Sequence, residues 1–148
     1  KETATCIGLS AVKLLKKDGD AVMVVLPSDH YIENEKNYVE TLNQAVELAN
    51  RRRGIVTLGI EPTRPETGYG YIEMGERISG NIATYKVARF TEKPNVELAK
   101  DFLVKETYIW NSGMFVFRAD VHCTKMRCIR FVSFHSILMS PLSLVKLS

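Results

Sequence analysis

The chain is short of cysteine, of long apolar stretches and of net charge, and each shortage removes a class of protein. Three cysteines in 148 residues, Cys6, Cys123 and Cys128, form no disulfide framework. No apolar run approaches the roughly 18 residues of a membrane span, so no membrane partner is expected. Lys1 to Ala4 is polar, and no apolar stretch ends in a small-residue cleavage site as a signal peptide would. A reduced, cytoplasmic setting is the expectation. The net charge of +3 is too small to point to nucleic acid as a partner. It is also unevenly spread. Residues 121–148 hold four basic residues (Lys125, Arg127, Arg130, Lys146) and no acid, which leaves 16 basic and 17 acidic residues over 1–120. The body is near neutral; the basicity belongs to the tail.

What remains is ordinary globular material, 45% hydrophobic and 25% charged, long enough for one domain with a sizeable core. Ala4, Ile7, Ala11, Leu14 and Leu15 recur at helical spacing, which predicts a helix over 3–17 stopped at Asp18-Gly19-Asp20. Ala21 to Leu26 is a continuous apolar run and predicts a strand buried on both faces. Val39, Leu42, Val46 and Ala49 form a second helical stripe, closed by the basic trio Arg51 to Arg53 and by Gly54. Ile55 to Ile60 predicts another buried strand. Strand, helix, strand in that order predicts a parallel βαβ unit. Tyr71 to Met74 and Ile82 to Phe90 read as strands joined by a turn at residues 79–81. Asn95 is placed to cap a helix over 96–105, and Met114 to Phe117 reads as a further short strand.

One segment stands out, Thr63 to Ile72, where Gly68 and Gly70 bracket a tyrosine just beyond a predicted strand. Glycine lets a backbone approach a ligand closely or adopt positive φ, and ligands of open α/β sheets bind beyond the strands' carboxyl ends. A lone G-x-G is as often simple turn punctuation. Its weight comes from three further strings: Pro27-Ser28-Asp29-His30, Glu92-Lys93-Pro94, and the run Trp110 to Phe115.

In order and spacing these strings resemble the sugar-nucleotide pyrophosphorylases, nearest to the branch that makes GDP-mannose from GTP and mannose 1-phosphate. The resemblance covers Glu2 to about Ala119. It implies an α/β, Rossmann-like nucleotidyltransferase fold of the GT-A type, a three-layer sandwich with a mixed sheet. The family opens with a glycine-rich loop whose Arg and Lys hold the triphosphate, and Lys1 to Ala4 resembles an element well inside an intact enzyme. The chain is therefore expected to be an internal fragment: 1–120 the sugar-phosphate half of the domain, 121–148 an aberrant or unrelated tail.

Such transfer is in-line positioning plus neutralisation of phosphate charge by Mg²⁺ and cations. Asp29 offers a hard carboxylate oxygen suited to Mg²⁺; position alone favours a turn or cap residue, and the match to the family's metal-binding element favours the metal. Glu92 accepts from sugar hydroxyls and Lys93 presents a compact charge to a phosphate, or the two are a solvated pair at a strand end. Asn111 can donate and accept at once, or serve only as a turn residue. By resemblance, Asp29 and Lys93 are the catalytic candidates and Asp29 the metal ligand. Thr67, Gly68, Gly70, Glu92, Lys93 and Asn111 are the substrate-binding candidates. Trp110, Tyr69 and Tyr71 read as packing residues, and His30 as structural.

Two other readings stay open: a non-catalytic sugar-phosphate-binding or regulatory domain, and a pyrophosphorylase for another hexose 1-phosphate. A zinc or interaction module on the tail, built from His122, Cys123, Cys128 and His135, has poor tetrahedral spacing. With five serines, no acid and no glycine, the tail is expected to pack poorly and to contribute little to stability. Base preference and oligomeric state are not legible.

Overall fold

The computed structural model describes residues 2–78, 83–120 and 142–147. The elements are α1 (Glu2–Lys17), β1 (Val22–Val25), α2 (Glu35–Arg52), β2 (Ile55–Ile60), β3 (Tyr71–Ile78), β4 (Thr84–Thr91), α3 (Val96–Lys105), β5 (Tyr108–Arg118) and β6 (Leu142–Leu147). Local chemistry accounts for most of the boundaries. Asn34 caps α2 by accepting from the Asn37 amide at 3.1 Å, and Asn95 caps α3 by accepting from the Leu98 amide at 2.9 Å. The end of α2 differs from expectation. Arg53 itself takes the left-handed conformation, with φ 49, and its amide donates to the Ala49 carbonyl. Gly54 only follows it.

Among the described residues, six strands form one mixed sheet in the order β1-β5-β2-β6-β4-β3. β5 is the organising strand because it is long. Its Phe115–Arg118 half pairs with β1, its Tyr108–Trp110 end pairs with β3, and both halves pair with β2. Only Met114 to Phe117 was expected as strand; the full element is 11 residues. The predicted βαβ unit is altered in the same way. β1 and β2 both run antiparallel to β5 and are therefore parallel to each other, but β5 lies between them.

Alternation along the central strands makes three layers. Val56, Leu58, Met114 and Val116 pack beneath Ala45, Leu48 and Ala49 of α2. Ile55, Phe117 and Met23 face the other way, onto Ala11 of α1, with Ile7 and Leu15 at its rim. Helices therefore cover both faces of the sheet. β1 is less buried than its apolar sequence predicted, since Val24 and Leu26 remain exposed. Arg118 ties the lower end of this half together. Its guanidinium is buried and donates to Asp20, Asn50 and Asp120, joining β5 to the α1–β1 turn and to α2.

The tail departs most from its reading. β6 lies inside the sheet, parallel to β2 from Ile55↔Leu142 to Ile60↔Leu147 and antiparallel to β4. Leu144 joins the cluster of Ile72 and Ile109, while Val145 joins the α2 cluster. The expectation of poor packing is thus corrected for 142–147. A strand buried on both faces needs only a short apolar run, so it shows no amphipathic pattern to find. Residues 121–141, and the turn expected at 79–81, lie outside the described residues.

Candidate functional site

The carboxyl end of β2 leads into the segment 61–70, and that segment delivers Gly70 into a tight place. Gly70 is buried. A Cβ built there would lie 2.7 Å from Cζ of Phe90 and 3.0 Å from Oε2 of Glu92. Close approach, not positive φ, is the reason for glycine here; among the described glycines only Gly113, at φ 75, is left-handed. The Gly70 carbonyl accepts from the Asn111 amide at 2.8 Å. Three of the expected site residues, from three separate segments, are thereby brought together.

Asn111 is more committed than its type suggested. Its Oδ1 accepts from the Thr57 hydroxyl at 3.1 Å and from the Gly113 amide at 3.3 Å. The single Thr57 proton is shared with the Met114 carbonyl, also at 3.1 Å, so Oδ1 faces inward and the NH₂ is the group left to donate to a ligand. Beside it, the Ser112 hydroxyl donates to the Leu58 carbonyl at 2.7 Å and accepts from the Met114 amide. The Asn111–Met114 stretch is bolted to β2 while remaining part of β5.

Glu92 and Lys93 leave the end of β4, both exposed, and Pro94 behind them is buried. Lys93 holds φ at 42. Side chains rarely adopt that conformation, and it recurs where a residue must be aimed. Here the buried Pro94 and the α3 cap at Asn95 fix the chain beyond it.

Asp29 lies in the bend after β1 and is exposed. Its loop starts beside the bulge of β5: Pro27 Cγ is 3.6 Å from where a Cβ on Gly113 would stand. Asp29 is thus at the same end of the sheet as Asn111, with no direct contact to the other candidates among those described. As a donor set, one exposed carboxylate fits an ion shared with a ligand's phosphates, and does not fit a cage made by protein alone. Among the described residues no three His, Cys, Asp or Glu side chains gather to hold a metal. His122, Cys123, Cys128 and His135 lie outside them. Next to the Asp29 loop, a cleft of 860 Å³ is lined by Tyr31, Ile32, Glu33, Asn34, Glu35, Asn37 and Tyr38; Glu33 and Glu35 make it a poor phosphate site.

Thr67 and Gly68 stay exposed at the tip of the 61–70 segment. What the sequence did not reveal is how that tip is held. Glu66 Oε1 accepts from the Gly68 amide at 2.9 Å, and Glu66 Oε2 accepts from Arg64 at 3.0 and 3.2 Å. The Gly68 amide, followed by Arg64, holds the Glu66 carboxyl below its ordinary range. The Glu66 amide donates to the Tyr71 hydroxyl at 3.0 Å. Tyr71 is fully buried, as expected of a packing residue, and Trp110 packs with it under α3. Arg-x-Glu before a G-x-G was the available signal.

A family model described as nucleotidyl transferase matches residues 1–129. The chain belongs to the nucleotidyl transferase family. A mannose-1-phosphate guanylyltransferase of Salmonella montevideo is 41% identical over 131 residues, 86% of this chain and 27% of that protein. This chain thus spans about a quarter of the length of the curated relatives it matches. Among solved structures, a Thermus thermophilus protein described as a mannose-1-phosphate geranyltransferase superposes with TM-score 0.76 at 28% identity, over 95% of this chain and 49% of that one. A Helicobacter pylori protein described as a mannose-6-phosphate isomerase gives TM-score 0.74 at 28% identity, over 96% and 67%. The Rossmann-like α/β fold with a mixed sheet is that of the family. Among the described residues no helix is long and apolar enough to cross a membrane.

Proposed function

We infer that this chain is the sugar-phosphate half of a mannose-1-phosphate guanylyltransferase, working in the cytoplasm. In the whole protein an oxygen of mannose 1-phosphate attacks the α-phosphorus of GTP. The bond to the bridging oxygen breaks, pyrophosphate leaves with that oxygen, and GDP-mannose remains. The observation that carries the reading is the meeting of Gly70, Glu92 and Asn111 at one edge of the sheet, where β1, β2 and β4 end and β3 and β5 begin.

Each residue has a part that its chemistry suits. Gly70 leaves room for a ligand to approach the backbone, and the exposed Thr67 and Gly68 offer polar groups at its mouth. Glu92 accepts from sugar hydroxyls, and the Asn111 NH₂ donates to another. Lys93, aimed by its backbone, neutralises the sugar phosphate. Asp29 would hold Mg²⁺ together with phosphate oxygens. When bound, that ion supplies charge neutralisation to the transferring phosphoryl group.

The test is calorimetric titration of the chain with mannose 1-phosphate in the presence of Mg²⁺. Binding is expected, and Lys93→Ala should weaken it by about one to two orders of magnitude. The 148-residue chain alone should make no GDP-mannose. Absence of binding, or equal affinity in Lys93→Ala, would count against the site.

A further inference from the structure

The segment 61–70 carries its own clip, and the clip closes on Trp110. Arg64 makes a two-nitrogen contact to one oxygen of Glu66, while the other oxygen takes the Gly68 amide. The guanidinium carbon lies 5.5 Å from the centre of the Trp110 ring. Tyr69, from the far side of the clip, meets the same ring edge-on at 5.3 Å. Beneath them the Glu66 amide rests on the buried Tyr71 hydroxyl. Trp110 immediately precedes Asn111, whose amide holds the Gly70 carbonyl. Both ends of the glycine segment are therefore referenced to one indole.

We propose that Arg64 is a positioning residue: by forking onto Glu66 and lying over Trp110, it sets the backbone of Thr67 to Gly70 to receive the sugar phosphate. This rests on the function inferred above, and it concerns a residue that touches no ligand in the argument. The geometry requires an arginine. A planar guanidinium covers an aromatic face while its N–H groups engage a carboxylate, and a lysine ammonium does not do both. Arg64 is itself more than half exposed, at 59%, so its removal should loosen the segment without disturbing the core.

The chain has one tryptophan, so selectively excited tryptophan fluorescence reports this place alone. The experiment compares the full 148-residue chain with Arg64→Ala and Arg64→Lys. Three readings are taken on each: hydrogen exchange at the Gly68 amide, acrylamide quenching of Trp110, and affinity for mannose 1-phosphate. Arg64→Ala should raise Gly68 exchange about tenfold and increase quenching. Affinity should fall by a similar factor while the thermal midpoint stays within about 2 °C. Arg64→Lys should behave like the alanine variant. Gly68 exchange within twofold of wild type in Arg64→Ala, or full rescue by lysine, would overturn the proposal. A wild-type chain that fails to bind mannose 1-phosphate would instead overturn the inferred function, and the exchange result would still decide the role of Arg64.

Discussion

The amide of Asn111 donates to the carbonyl of Gly70 at 2.8 Å, which locks the glycine segment to the strand carrying the polar side chain. The Cα of Gly70 faces Phe90 and Glu92 with no room for a methyl group. Backbone contact on one side and van der Waals contact on the other define the position of this residue completely.

Gly70→Ala should therefore displace Glu92 and the Phe90 ring and weaken binding of mannose 1-phosphate about tenfold. The added methyl also overpacks the site, at a cost of about 1–3 kcal/mol. Calorimetric titration and urea unfolding would measure the two effects. An alanine variant with wild-type affinity would show that the cradle is not part of the binding surface.

Asn111→Asp separates structure from recognition. Aspartate keeps an acceptor for Thr57 and Gly113 but has no NH₂ to donate, and its charge opposes a phosphate. Stability near that of wild type is expected, with affinity for mannose 1-phosphate reduced at least tenfold. Equal losses of both, read by thermal melting and titration, would make Asn111 a purely structural residue.

Leu144→Ala tests whether the last strand is part of the core. Leu144 is fully buried, and its Cδ1 would lie 2.9 Å from a Cβ on Gly59. Truncation should cost about 2–5 kcal/mol, measured by urea denaturation. A change below about 0.5 kcal/mol would return the tail to the peripheral role its composition suggested.

The element pattern was legible where a local rule decides it. Asn95 and the periodicity behind it place α3 at Val96–Lys105, because capping and helical spacing are local. The strand neighbours were not legible in the same way. Nothing within Ala21 to Ile60 shows that a strand 50 residues later will insert between β1 and β2. The tail failed for a different reason: Leu142–Leu147 is too short to display a pattern, and its partners β2 and β4 are distant in sequence. In the site, residue types pointed to Gly70, Glu92 and Asn111, which do meet. The commitment of the Asn111 oxygen to Thr57 was hidden, since Thr57 sits in an apolar run and reads as a strand former.

The Glu66 clip should respond to acid. Its carboxyl is held below the ordinary value of 4.5 by the Gly68 amide first and Arg64 second. A depressed folded value means the contribution is present above the unfolded value and is lost as pH falls through the folded one. Trp110 quenching by acrylamide should stay constant from pH 7 to about 5 and rise below about 4. Glu66→Gln should abolish that rise. A quenching profile unchanged by the substitution would remove Glu66 from the clip.

The central claim is that the sheet edge where β1, β2 and β4 end and β3 and β5 begin binds a sugar 1-phosphate. Amide shift mapping of the ¹⁵N-labelled chain, titrated with mannose 1-phosphate in Mg²⁺, tests it most directly. The account predicts saturable shifts at Gly68, Gly70, Glu92, Lys93 and Asn111, with a further change at Asp29 that requires the ion. Shifts confined to the Tyr31–Tyr38 cleft, or none at millimolar ligand, would contradict it.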